Sequence, residues 1–213
     1  MRVAIVGCGV AGSFLSLQLG RLGHDVVVLE KGLAPEVMRK GRPDDGRHIG
    51  VLLNARGIYH LRKWVTSNEL SQVSRPLQGR CVHPHLNSVI SQKLSTANTF
   101  EVWDKKHLAL DREALVQLLV QKSTHLSNVQ FLFNHKVERL RPLSGGIIRL
   151  RATPFSFAKN DQQMSFQDES FEGEFDLVVG CDGVGSVVRD HIHSAERDFH
   201  YTVRYTSCFV FLF

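Results

Sequence analysis

The sequence predicts an α/β fold with a parallel sheet, on the evidence of three apolar runs and the helix between two of them. Two short β-branched runs, residues 3–6 and 26–29, flank a segment of helical spacing at residues 11–22, and a third run occupies residues 177–179. Fully apolar strands joined by one helix indicate a parallel pair buried on both faces, because exposed antiparallel strands alternate polar and apolar residues. We therefore expect a strand-helix-strand unit over residues 1–31.

The middle of the chain predicts part of a second, mixed or antiparallel sheet and two further helices. Asn54 is a candidate cap for a helix over residues 58–65, and Asp111 for a helix that ends near residue 122. Polar and basic residues at 33–50 predict a long loop, and Ser186 begins a short helix that ends near His191. Strands are predicted at residues 80–83, 129–133, 146–152 and 171–175.

Composition narrows the function classes. The 213 residues carry a net charge of +5, but Lys and Arg are dispersed, which favours a solvated basic surface over a nucleic-acid platform and stays compatible with small anionic ligands. The four cysteines contain no CxxC pair, so neither a metal site nor a disulfide framework is predicted; they are Cys8, Cys81, Cys181 and Cys208.

Targeting signals do not stand out. The first apolar run is too short for a signal peptide, and no apolar stretch approaches the roughly 20 residues of a membrane-spanning helix. These features leave the cytoplasm and the mitochondrial surface as open locations.

A glycine motif with a specific chemical role lies between the first strand and the first helix. Gly7 permits a tight turn, Gly9 lets the backbone approach a pyrophosphate, and Gly12 allows close packing of helix and strand. The start of the helix, at Val10 and Ala11, offers free N–H groups and a positive dipole end to phosphates. The motif therefore predicts a dinucleotide site, the alternative being a glycine-rich turn that binds nothing.

Glu30 closes the second strand and refines the choice of ligand. A carboxylate at this position accepts hydrogen bonds from ribose hydroxyls and repels a 2′-phosphate. The site is therefore expected to hold FAD or NAD and to exclude NADP.

A second motif near the far end of the chain favours a flavoprotein. Residues 175–189 read FDLVVGCDGVGSVVR, which resembles the "DG" motif of the class A flavoprotein aromatic hydroxylases. That resemblance implies a Rossmann-like FAD-binding fold, FAD as cofactor, NAD(P)H as co-substrate, and cofactor contacts at Asp182 and Gly183. The residues alone leave another interpretation open, in which Asp182 only caps the following helix.

Further cofactor contacts follow from the same resemblance. Residues 110–119, LDREALVQLL, look like the family segment in which an arginine before Leu-x-x-x-Leu contacts the flavin, which assigns that role to Arg112. An exposed arginine in a first helical turn is the alternative. We also expect cofactor contacts from Lys31 and Val137.

Within the class, the chain resembles the kynurenine monooxygenases in the segments GRHI at 46–49, RG at 56–57, residues 76–83, NV at 128–129, FNH at 133–135 and VGCDG at 179–183. The resemblance implies hydroxylation of a small aromatic acid such as kynurenine. It assigns the substrate carboxylate to Arg80, with a solvated arginine as the alternative, and places Phe100 where the family has a substrate-contacting tyrosine. Two rival functions are a flavin-dependent reductase of the geranylgeranyl reductase type and a nucleotide-binding module without catalysis.

The whole sequence is predicted to be one FAD-binding domain, 1–213, with the motif segment at 175–191 and partial substrate-domain strands at 75–103 and 199–213. We name no catalytic residue, because flavin hydroxylation needs binding and orientation and no protein nucleophile. The family's second Gly-Asp motif does not occur in these residues. We therefore expect that residues 1–213 alone bind flavin poorly, and that any NADPH oxidation yields hydrogen peroxide without a hydroxylated product.

Overall fold

The computed structural model describes residues 1–37, 50–82, 99–155, 169–195 and 198–201, with the backbone alone at 80–82, 99–101 and 103–105. The chain divides into two compact units. The first comprises Met1–Arg42 with Val116–Phe213, and the second comprises Pro43–Leu115.

The first unit is built on a parallel sheet of four strands. Helix α1, Val10–Arg21, connects the first two of them. The order across the sheet is β10-β1-β2-β6, and every neighbouring pair is parallel. The strands are β1 (Arg2–Val6), β2 (Asp25–Leu29), β6 (Val129–Leu132) and β10 (Leu177–Gly180).

An antiparallel sheet packs on one face of the parallel sheet. Its strands are β7 (His135–Pro142), β8 (Ile148–Pro154) and β9 (Phe171–Phe175), in the order β7-β8-β9. Leu150 and Phe175 share one apolar cluster with Ala4 and Val6 of β1. Helix α5, Val187–Ala195, adds the buried Val188 to this cluster.

The opposite face of the parallel sheet is covered by helices. Val3 and Ile5 form a second apolar cluster with Val116 and Val120 of helix α4, Arg112–Thr124. The parallel sheet is therefore buried on both faces, as its apolar strands predicted.

The second unit is an antiparallel sheet of three strands with two short helices. The order is β3-β5-β4, from strands β3 (Gly50–Leu53), β4 (Ser74–Val82) and β5 (Thr99–Asp111) and helices α2 (Ala55–Leu61) and α3 (Ser67–Gln72). Asn54 caps α2 by accepting from the Gly57 N–H. Thr66 and Glu69 form a capping box at α3.

Most strong sequence patterns formed the elements they predicted. The α/β class with a parallel sheet is confirmed, as are the caps at Asn54 and at Asp111, whose Oδ1 accepts from Glu113 and Ala114 N–H groups. Two expectations were wrong in detail. The antiparallel strands form two sheets instead of one, and Leu177, expected to be buried, is 41% exposed because β10 is the edge strand of the described sheet.

Candidate functional site

The carboxyl ends of β1, β2 and β10 meet at one edge of the parallel sheet. Because Gly7 has φ of +97°, it adopts a conformation that side-chain-bearing residues rarely take. A Cβ at Gly7 would lie 2.5 Å from the carbonyl oxygen of Cys181 and 2.8 Å from Cα of Asp182. The first glycine motif therefore packs directly against the second one, where chain direction diverges from β1 to β2 on one side and β10 on the other.

Gly12 closes the contact between helix α1 and this edge. A Cβ there would lie 1.9 Å from the Gly7 carbonyl oxygen, a distance that no side-chain rearrangement relieves. Gly9 is the N-cap of α1, and no described side chain caps it. The first-turn N–H groups are thus directed at the crevice, and that turn carries no acidic residue that would compete with an anion.

Glu30 ties the end of β2 to the glycine turn. Its Oε2 accepts from the Cys8 N–H at 2.7 Å, and its Oε1 accepts from the Gly32 N–H at 2.7 Å. A carboxylate has about four acceptor positions, so these two backbone bonds orient the group and leave capacity for two ligand hydroxyls. Sequence reasoning identified Glu30 and missed its partners Cys8 and Gly32, because backbone donors leave no mark in a residue pattern.

The carboxylate of Asp182 divides its two oxygens between different environments. Its Oδ2 accepts from the Val187 N–H at 2.7 Å and so caps helix α5. Its Oδ1 is buried and has no hydrogen-bond partner among the described residues. Capping is therefore one role of Asp182, and the free oxygen beside Gly7 is an acceptor that a ligand donor would satisfy.

The turn after Asp182 is held by Arg189. Its guanidinium donates to the carbonyl oxygens of Gly183 and Val184 and lies 4.5 Å from the ring centroid of Tyr201. Gly183 has φ of +78° and is exposed, with open space around its α-carbon in the described structure. The motif's own arginine was the available signal for this supporting role.

Two thiols line the same edge in their protonated form. Burial, and next the charge of Glu30, raise the pKa of Cys8 to about 12, while burial and Asp182 raise the pKa of Cys181. A neutral thiol is a poor nucleophile and a poor metal ligand. No group of three His, Cys, Asp or Glu side chains suited to a metal ion occurs within the described ranges.

These features fit FAD. A helix N-terminus suits its pyrophosphate, the oriented Glu30 suits its adenosine ribose, and the unpartnered Oδ1 of Asp182 suits a cofactor hydroxyl.

The remaining predicted site residues are placed unevenly. Lys31 is exposed directly after Glu30, whereas Val137 is 5% exposed within the core, so a cofactor contact there would use its backbone. Arg112 is exposed at the start of α4 and belongs to the second unit.

The two substrate candidates lie on neighbouring strands of the second unit. Arg80 in β4 pairs with Glu101 in β5, and Cys81 pairs with Phe100. Successive positions along a strand alternate between the faces of a sheet. Arg80 and Phe100 therefore occupy register positions of opposite faces. The segments GRHI at 46–49 and His83 lie outside the described residues.

The family model described as "FAD binding domain" matches residues 1–209. This chain belongs to that family. The FAD cofactor and the resemblance to flavoprotein hydroxylases are thereby confirmed for the FAD-binding domain.

Curated relatives carry a common name. The chain is 32% identical over 136 residues to kynurenine 3-monooxygenase of Myxococcus xanthus (strain DK1622), covering 63% of this chain and 27% of the relative. It is 26% identical over 205 residues to kynurenine 3-monooxygenase of Legionella pneumophila (strain Corby), covering 92% of this chain and 40% of the relative. The FAD-binding domain thus spans less than half the length of these relatives.

Solved structures share its fold. PqsL, a probable FAD-dependent monooxygenase from Pseudomonas aeruginosa, matches with a TM-score of 0.61 at 21% identity, over 97% of this chain and 48% of that one. The p-nitrophenol 4-monooxygenase PnpA from Pseudomonas putida DLL-E4 matches with a TM-score of 0.63 at 19% identity, over 89% and 42% of the two chains. Within the described residues, no helix has the length and apolar character needed to cross a membrane.

Proposed function

We propose that this chain is the FAD-binding part of an NAD(P)H-dependent flavin monooxygenase that hydroxylates a small aromatic acid such as kynurenine. The family match supports the cofactor, and the relatives named kynurenine 3-monooxygenase support the reaction class.

The observation that carries the proposal is the buried, unpartnered Oδ1 of Asp182 next to the Gly7 turn. An unsatisfied buried carboxylate oxygen destabilises a fold by roughly 1–3 kcal/mol or more. A plain helix cap needs only the oxygen that Val187 already occupies. The second oxygen is explained by a ligand that donates a hydrogen bond at this edge.

Each chain element has a defined part in holding the cofactor. The α1 N-terminus binds the pyrophosphate, Glu30 accepts from the adenosine ribose, and Asp182 accepts from a further hydroxyl. Arg189 fixes the Asp182–Gly183 turn through two carbonyl oxygens. When bound and reduced, FAD supplies the oxygen chemistry, and the protein supplies position and exclusion of water.

The substrate assignment rests on Arg80. A guanidinium binds a carboxylate through two parallel N–H donors, a geometry that an ammonium cannot reproduce. We assign the substrate carboxylate to Arg80. Phe100 stays a prediction, since its register position belongs to the other face of the sheet.

The experiment is NAD(P)H oxidation by active protein that contains this chain, with aromatic acids added and products identified. Hydroxylated product in step with NAD(P)H consumption is expected, and Arg80→Lys should raise the KM for the acid about tenfold, as for one lost charge-assisted hydrogen bond. Arg75→Lys, on the exposed part of the same strand, is the matched control. Consumption of NAD(P)H with reduction of an isoprenoid double bond would instead establish the rival reductase.

A further inference from the structure

Four arginines form a two-by-two array on the outer face of the β7-β8-β9 sheet. Arg139 pairs directly with Arg151, and Arg141 pairs directly with Arg149. Residues directly opposite on antiparallel strands lie about 5 Å apart at Cβ, and positions i and i+2 lie about 7 Å apart on the same face. All four guanidinium groups therefore share one small patch, the arginine array.

The array is only partly neutralised. On β9, Glu172 pairs in register with Arg151 and Glu174 with Arg149. Both carboxylates contact Arg149, whose Nη2 lies 2.6 Å from Glu174 and whose Nε lies 3.6 Å from Glu172. In the described part of the chain, Arg139, Arg141 and Arg151 form no ion pair.

Such an arrangement is unfavourable for the sheet on its own. Like charges placed directly opposite in neighbouring strands destabilise the pair, by up to about 1 kcal/mol. Two such pairs stand side by side here, although the same strands bury Leu140 and Leu150 well on the other face. An anion bound between the arginines would remove the repulsion and stabilise the folded chain by mass action.

The shape of the patch suits a compact anion. The arginines and Glu172 line a concave surface of about 130 Å³. A tetrahedral phosphate presents several oxygens that two or more guanidinium forks grip together, whereas a single carboxylate is saturated by one fork. Three unpaired positive charges match a group with three or four negative charges, and Glu172 confines that group to the β7-β8 half.

The array is separate from the FAD edge. Strand β7 begins beside Glu30, where the His135 N–H donates to the Glu30 carbonyl, at the carboxyl ends of the parallel strands. At the other end Arg149 and Glu174 line a depression with Arg2, the first residue of β1. The array thus lies toward the amino ends of the parallel strands.

We propose that the arginine array is a binding site for a compact polyphosphate, the group carried by soluble di- and triphosphates or by a phosphorylated lipid headgroup. The test is a titration of the FAD-saturated chain with inorganic tripolyphosphate at constant ionic strength. Binding should raise the Tm, and Arg139→Gln with Arg151→Gln should raise the Kd about tenfold per arginine lost, with FAD affinity unchanged.

Two matched variants sharpen the test. Arg62→Gln removes an exposed arginine of α2, from a different cationic depression with Lys63 and Lys106, and should leave the Kd unchanged. Glu174→Gln frees Arg149 and should tighten binding. Without ligand, the double variant should be at least as stable as the parent, because it relieves like-charge repulsion, so loss of binding is not loss of fold.

Other outcomes would overturn the proposal. They are an equal Tm rise with sulfate, a Kd that depends on Arg62 and not on the array, and tighter binding of an acidic peptide than of tripolyphosphate. The source of the phosphate is separated by vesicles: retention on vesicles that contain a phosphoinositide bisphosphate, competed by tripolyphosphate, assigns the site to a headgroup. Binding of tripolyphosphate alone assigns it to a soluble ligand.

Discussion

Glu30 shows how much of the site depends on a single side chain. Its carboxylate holds the Cys8 and Gly32 N–H groups at 2.7 Å each, which joins the phosphate turn to the end of β2. Loss of this group should disturb both the ribose contact and the shape of the turn.

Glu30→Ala should therefore raise the Kd for FAD by about 10- to 100-fold, equivalent to roughly 1–3 kcal/mol of charge-assisted hydrogen bonding. Fluorescence titration with FAD measures this effect. Glu36→Gln changes an exposed carboxylate close in sequence and should have no effect. Unchanged affinity in Glu30→Ala would remove Glu30 from the site.

Cys8 gives the folded chain a dependence on alkaline pH. Its pKa is raised from the ordinary 9.0 to about 12, chiefly by burial. A group with a raised pKa in the folded state binds its proton more tightly there, so its contribution to stability is complete below pH 9.0 and is lost as pH rises toward about 12.

The free energy of unfolding should thus fall between pH 9 and 11 more steeply in the parent chain than in Cys8→Ala, as urea titrations at each pH would record. Iodoacetamide at pH 8 should modify Cys8 slowly in the folded chain and quickly in urea. Rapid labelling of Cys8 under native conditions would contradict the raised pKa.

At the scale of elements, sequence patterns predicted those strands and helices whose signals are local. Asn54 and Asp111 marked helix starts correctly because an N-cap is decided by one side chain and the next three N–H groups. Helix α3 was missed although Thr66 and Glu69 carry the capping-box spacing.

Strand β7 was missed for a physical reason. A register irregularity between Val137 and Arg139 shifts the pattern, so the buried residues Val137 and Leu140 stand three positions apart, a spacing typical of a helix. Strand β5 carries charged residues through its centre, and its pairing with β3 and β4 is decided by segments distant in sequence.

The glycine motifs were predictable, whereas their mutual contact was not. Gly12→Ala would place a Cβ 1.9 Å from the Gly7 carbonyl oxygen, so α1 must move away from β1. We expect loss of FAD binding and a Tm lower by several degrees, since about 1 kcal/mol shifts the Tm by roughly 2–4 °C in a domain of this size.

Gly185→Ala is the matched control, because no described atom lies near its α-carbon substituent position. It should keep both Tm and FAD affinity. Equal behaviour of the two variants in thermal melts and FAD titrations would show that close packing at Gly12 is unimportant.

At the scale of the whole molecule, the expected cofactor residues fall almost entirely in one unit. Gly7 to Gly12, Glu30, Val137 and Asp182 belong to the unit of Met1–Arg42 with Val116–Phe213, while Arg80, Phe100 and Arg112 belong to Pro43–Leu115. The adenosine half of FAD therefore depends on the first unit, and the sequence motifs identified that unit because its strands and turns are local and consecutive. The substrate residues lie in the unit whose long-range strand pairing the sequence did not reveal.

ADP, which carries only the adenosine diphosphate part of FAD, tests this division. A ligand protects the backbone N–H groups that it contacts or whose local opening it suppresses. Saturating ADP should slow hydrogen exchange in residues 7–13, 30–32 and 181–187, and it should leave β3, β4 and β5 at their original rates. Gly12→Ala should abolish the protection, which separates specific binding from a general effect of the added anion. Exchange that slows equally in both units, or protection that persists in Gly12→Ala, would show that the adenosine half is held by residues other than the glycine turn, Glu30 and Asp182.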